Sequence, residues 1–144
     1  MSDQMVKLII TGALAVHGLG HGGAVAALAW IGVRPGTDTG GWHAAQSWLL
    51  PGLSAGTATS LASVIWIASL IGFVAAALGF SGILVPGEAW RPLAAITAVV
   101  SMVGIVLFIG TWPAFNTVAA IGMNVAVLVA LLGMRWPPET MFGR

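Results

Sequence analysis

Two histidines, His17 and His21, sit inside an apolar run that holds no other ionisable group: TGALAVHGLGHGGAVAALAW, from Thr11 to Trp30. Residues four apart on a helix lie one turn apart on the same face. An ionisable side chain at membrane depth costs at least a few kcal/mol if it stays charged, so it normally has a partner or a task. Burial in low dielectric favours the neutral ring. A neutral imidazole donates from one nitrogen and accepts or ligates with the other. The pair therefore suits hydrogen bonding, acid–base work or ligation.

Three uses of the pair follow. Gly18, Gly20 and Gly22 flank the histidines and leave space for a flat macrocycle such as haem b, with His17 or His21 as a ligand. Axial pairing normally takes His from two helices and no other span contains one, so a homodimer or a weaker second ligand is required. A divalent metal chelated by His17 and His21, with His43 folded in, is a second use. No carboxylate or thiol lies nearby, which leaves such a site poor in charge. The third is a pocket for a lipophilic small molecule, with Asn124 beside the rings and imidazole available for proton transfer. No acid lies at depth to orient the His or hold a cation, which weakens an enzymatic reading. Against all three stands a packing role: Gly18 and Gly22 form a small-xxx-small pair that lets another helix approach, with the imidazoles as interhelical glue. Gly18-x-Gly20-x-x-Gly23 also matches a dinucleotide pattern, but an apolar span offers no βαβ context for it.

The elements that must position these residues are spanning helices. The chain has 144 residues, 58% hydrophobic and 6% charged, with a mean hydropathy of +1.00; soluble domains carry about 25% charge. The acids are Asp3, Asp38, Glu88 and Glu139, and the bases Lys7, Arg34, Arg91, Arg135 and Arg144. No formal charge occurs from Thr39 to Gly87 or from Pro92 to Met134. A net charge of +1 provides no basic surface for nucleic acid. Cysteine is absent, which excludes disulfides, thiolate catalysis and an iron–sulfur cluster.

Four spans are predicted, at about 5–33, 55–80, 92–110 and 114–134, giving an all-α integral membrane four-helix bundle in one transmembrane domain. The opening, with Lys7 before an apolar run and AVAALA after it, also has the form of a signal peptide; its length favours a span. RPGTDTGG, from Arg34 to Gly41, reads as a turn. WHAAQSWLL, at 42–50, is too short to span and is expected as an amphipathic interfacial helix, with His43, Ala44, Gln46 and Ser47 on its wetter side. Pro92 suits the first turn of the third helix. A small-residue stripe of Gly122, Ala126 and Ala130 is expected to pack the fourth. Arg135 to Arg144 reads as a polar tail.

With four spans, Lys7, Arg91, Arg135 and Arg144 share one side and Arg34 stands alone on the other. The positive-inside rule then puts both termini in the cytoplasm. Trp30, Trp42, Trp48 and Trp112 are expected at the outer interface and Trp90 and Trp136 at the inner one. Trp66 falls mid-span, where its indole N–H needs an internal acceptor. At about 1.5 Å per residue, His21 lies roughly 15 Å below the outer boundary, level with Asn124, and His17 one turn deeper. His21 and Asn124 are therefore expected to face each other or a shared ligand.

The HGLGH of the first helix, His17 to His21, resembles the His-Gly-x-x-His motif of small bacterial membrane proteins with four predicted spans. The Trp112…Phe115…Asn124 pattern leading into the last helix is similar to theirs, whereas Trp42–Leu50 departs from it. The resemblance implies a four-helix multi-pass protein of the bacterial inner (cytoplasmic) membrane and no particular activity. Two functions stay open. One is an intramembrane His-based site for a lipophilic small molecule or cofactor. The other is a non-catalytic accessory subunit that packs as a homo-oligomer or within a larger membrane complex.

Overall fold

The structure is a computed structural model that describes residues 2–36 and 39–138. Asp38 of the first turn and Glu139 to Arg144 of the expected polar tail lie outside the described residues. Four helices make up the fold: α1 (Asp3–Val33), α2 (Ala55–Phe80), α3 (Trp90–Leu107) and α4 (Ala114–Leu128). A π-helical turn, Val129–Gly133, continues α4. Each span, counting α4 and its π turn as one, is long and apolar enough to cross a bilayer. Large apolar side chains such as Val16, Val64, Ile96 and Val118 point outward from every helix. In water such a surface would be untenable; against lipid tails it costs nothing.

Local chemistry sets the helix ends. Ser2 caps α1 by accepting from the Met5 N–H, and Ser54 caps α2 by accepting from the Thr57 N–H. α3 starts at Trp90, before the expected boundary, yet Pro92 still falls in the first turn, where its missing N–H is harmless. The helix stops at Leu107 rather than 110, because Gly110 takes a positive φ of 92° at the corner.

The helices pack in chain order, α1 on α2, α2 on α3 and α3 on α4. Two apolar clusters fill the bundle. One, around Ala24, Ala62, Trp66, Phe108 and Trp112, occupies the distal end, away from the N-terminus. The other, around Leu14, Phe73, Ala77, Trp90 and Val127, fills the proximal end. Between them every helix contributes polar side chains: His17 and His21, Ser69, Ser101, and Asn124.

The segment at 42–50 is not a helix. Residues 42–47 carry no regular secondary structure, and exposed Ala44, Gln46 and Trp48 alternate with buried Ala45 and Ser47. That alternation is the signature of an extended chain. The strap crosses the distal end, where the His43 N–H donates to the Thr111 carbonyl at 2.9 Å and Trp48 Nε1 donates to the Val106 carbonyl at 2.6 Å. Ser47 accordingly leaves the wet side expected for it. Trp112 and Trp90 are likewise buried in the clusters rather than anchored at an interface. The stripe of Gly122, Ala126 and Ala130 does not pack α4, for Gly122 and Ala126 are exposed; Thr117, Ala120, Asn124 and Val127 do that work.

Candidate functional site

The buried stripe of α1 reads Leu14, Gly18, His21, Ala24, Leu28, so His21 lies on the packing face and His17 beside it. The glycines set that rotation. A Cβ on Gly18 would sit 3.1 Å from the Leu70 carbonyl oxygen and 3.1 Å from Phe73 Cβ, and one on Gly22 would meet Leu70 side-chain atoms at 3.4 Å. Both glycines therefore seat α1 against α2. Around Gly20 there is nothing within 4 Å. The room expected beside Gly18 and Gly22 is thus filled by α2, and open space lies on the Gly20 side.

Asn124 pairs with the deeper histidine. His17 Nε2 and Asn124 Oδ1 are 2.9 Å apart, and since a carbonyl oxygen only accepts, His17 Nε2 carries the proton. Asn124 Nδ2 donates to Ser101 Oγ at 2.7 Å. Ser101 Oγ lies 3.0 Å from His21 Nε2, the one acceptor its hydroxyl meets among the described residues. The hydroxyl therefore donates to His21, whose own proton sits on Nδ1. Three helices are joined by this single directional chain, from His17 through Asn124 and Ser101 to His21. His21 and Asn124, expected face to face, meet instead through Ser101. That serine was missed because one hydroxyl in an apolar span usually bonds back to its own helix, as Ser69 does to the Ile65 carbonyl at 2.9 Å.

Aromatic rings enclose the pair. The His17 and His21 centroids are 5.1 Å apart, Phe73 approaches His17 at 4.5 Å, and Trp112 approaches His21 at 5.2 Å. His21 Nδ1 and Trp112 Nε1 are buried and have no hydrogen-bond partner among the described residues. The same holds for Trp66 Nε1, for which the sequence called for an acceptor. Trp66 and Trp112 are neighbours, with centroids 5.3 Å apart.

A groove of about 400 Å³ runs along the seam between α1 and α4. Its walls include His17, Gly20 and His21 from α1, Asn116 and Ala120 from α4, and Trp112 from the corner. Exposed Val16 and Phe115 stand at its mouth, so it opens on the side of the bundle. A second, almost wholly apolar groove of about 230 Å³ continues toward the proximal end and shares Ala13 and Met123 with the first.

His43 stands apart, in the exposed strap, where with Gln46 and Thr111 it lines a separate distal cavity. Among the described residues no three His, Cys, Asp or Glu side chains come together as a metal-ligand group. Both Nε2 atoms of the intramembrane pair are already committed to protein hydrogen bonds. Ligation of haem or a divalent metal through either Nε2 would replace the hydrogen bonds that join the helices. No family model, curated protein or solved structure matches this chain.

Proposed function

We propose that this chain is a multi-pass protein of the bacterial inner membrane, with both termini cytoplasmic, that takes a lipophilic small molecule from the bilayer into the α1–α4 groove. The observation that carries this reading is the groove of about 400 Å³, open sideways and walled by both intramembrane histidines. Pockets for small molecules are concave, mostly apolar and furnished with a few polar groups; this one has His17, His21 and Asn116. Asn124 and Ser101 hold the rings, and Gly18 and Gly22 aim them by seating α1 on α2. The test is to purify the protein from membranes and analyse the organic extract for a lipophile enriched to stoichiometric amount. Gly20→Leu, which fills the groove and leaves the hydrogen-bonded chain untouched, should abolish that enrichment. Bulk membrane lipid alone, equal in both proteins, overturns the reading.

A second reading rests on the hydrogen bonds themselves: both imidazoles are already used as interhelical glue, as an accessory or scaffold subunit of a larger complex would use them. His17→Ala and His21→Ala separate the two. Loss of the bound lipophile from a folded protein favours the pocket, and loss of assembly alone favours the scaffold.

A further inference from the structure

We propose that the proximal groove holds one acyl chain of an anionic phospholipid, whose phosphate rests on the arginines at the groove's rim. The rim is made by the chain beyond the π turn, which folds back on the bundle instead of leaving it. The Trp136 N–H donates to the Ala130 carbonyl at 2.8 Å, and Arg135 turns the backbone there at a φ of 50°. Pro137 is fully buried, and the Arg91 guanidinium of α3 donates to its carbonyl. Trp136 and Pro137 thereby complete a groove wall shared with Ile9 and Ile10 of α1.

Both arginines belong to this rim. Arg91 follows Trp90, a groove residue, and its guanidinium lies 5.3 Å from the centre of that ring; Arg135 directly precedes Trp136 and is exposed. A guanidinium carries five N–H donors in a fork that matches phosphate, so Arg91 can hold the Pro137 carbonyl and an anion together. Asp3 and Glu88 are the acids of this end among the described residues, and neither lines the groove. Below the rim the lining is hydrocarbon, with Leu14, Ala94 and Val127. From Leu131 to Met123 the groove is roughly 12 Å deep at the helical rise, close to the ~15 Å of hydrocarbon in one leaflet. Trp136 is 40% exposed, and an indole so placed marks the headgroup level. A neutral lipophile would use the apolar lining alone, whereas a chain that ends in an anion uses both lining and rim. Basic pockets between membrane helices favour anionic headgroups for this reason.

The test is native mass spectrometry of the protein released from micelles, titrated with dioleoyl phosphatidylglycerol or dioleoyl phosphatidylcholine. The two lipids share their chains and differ in headgroup charge. One phosphatidylglycerol should bind at least about 10-fold tighter than phosphatidylcholine. Arg135→Gln should weaken phosphatidylglycerol about 5-fold and leave phosphatidylcholine within about two-fold, since one base beside the headgroup is lost. Ala126→Phe fills the groove below the rim and should weaken both lipids. Equal affinity for the two lipids in the unaltered protein would overturn the proposal. So would a phosphatidylglycerol preference that neither Arg135→Gln nor Arg91→Gln reduces. Tight phosphatidylglycerol binding that survives Ala126→Phe would put the anion on surface charge alone and remove the groove from the site. Arg91→Gln also releases Pro137; if circular dichroism shows that variant unfolded, Arg135→Gln decides alone.

Discussion

Ser101 serves two partners through one oxygen, accepting from Asn124 and donating to His21. Ser101→Ala strands both partners inside the bundle, and each keeps a polar atom with nowhere to turn. Hydrogen bonds between membrane helices are worth less than burial alone suggests, because the separated helices find other partners. The expected loss is therefore about 1–2 kcal/mol, read from unfolding in mixed micelles. Ser69→Ala is the control. Its hydroxyl is equally buried but bonds back to Ile65 in its own helix, so the loss should stay under about 0.5 kcal/mol. Equal losses from the two serines would mean that the chain joining three helices contributes nothing. Of its four members, His17, His21 and Asn124 were legible in the sequence because polar groups are conspicuous in greasy spans. Ser101 was not, since only the rotation of α3 turns its hydroxyl toward α1 and α4.

Glycine acts at the level of whole helices, and its role depends on which face it occupies. Gly18 touches the α2 backbone, and an added methyl there meets a carbonyl oxygen that cannot move without moving the helix. Gly18→Ala should cost about 1–3 kcal/mol by overpacking. Gly20, two residues on, faces open space; Gly20→Ala should be neutral or stabilising by up to about 1 kcal/mol, because alanine favours the helix. Thermal unfolding of the two variants checks the pair, and a reversed order would mean that α1 is rotated about its axis. Hydropathy made all four helices readable, and their ends fell near the expected residues wherever a Ser, Pro or Gly marked them. The segment at 42–50 misled for a physical reason. Its alternation and a helical amphipathic pattern look alike over so few residues, and only the His43 bond to Thr111 shows that the chain is pulled straight. On α4 the obvious stripe of small residues faces outward, because Asn124 and its bond to Ser101 fix the helix rotation more strongly than small size does.

At the scale of the whole molecule, orientation in the bilayer decides which leaflet feeds the groove. Lys7 and Arg91 belong to the proximal end, with Arg135 following the π turn, whereas Arg34 is the single base of the distal end among the described residues. On the proposed orientation, retention of positive loops in the cytoplasm turns the distal end outward. The chain lacks cysteine, so one introduced thiol reports its own location without background. Gln46 in the strap and Gln4 in the first turn of α1 are both exposed and lie at opposite ends of α1 or beyond it. A membrane-impermeant maleimide added to spheroplasts should label Gln46→Cys at once and Gln4→Cys only after lysis. The opposite pattern would invert the protein. His21, Trp112 and the mouth at Phe115 would then belong to the inner leaflet, and the apolar track toward Trp90 and Trp136 to the outer one. With the expected pattern the mouth at Phe115 lies toward the outer leaflet, so on the proposed function a lipophile enters the groove from that side.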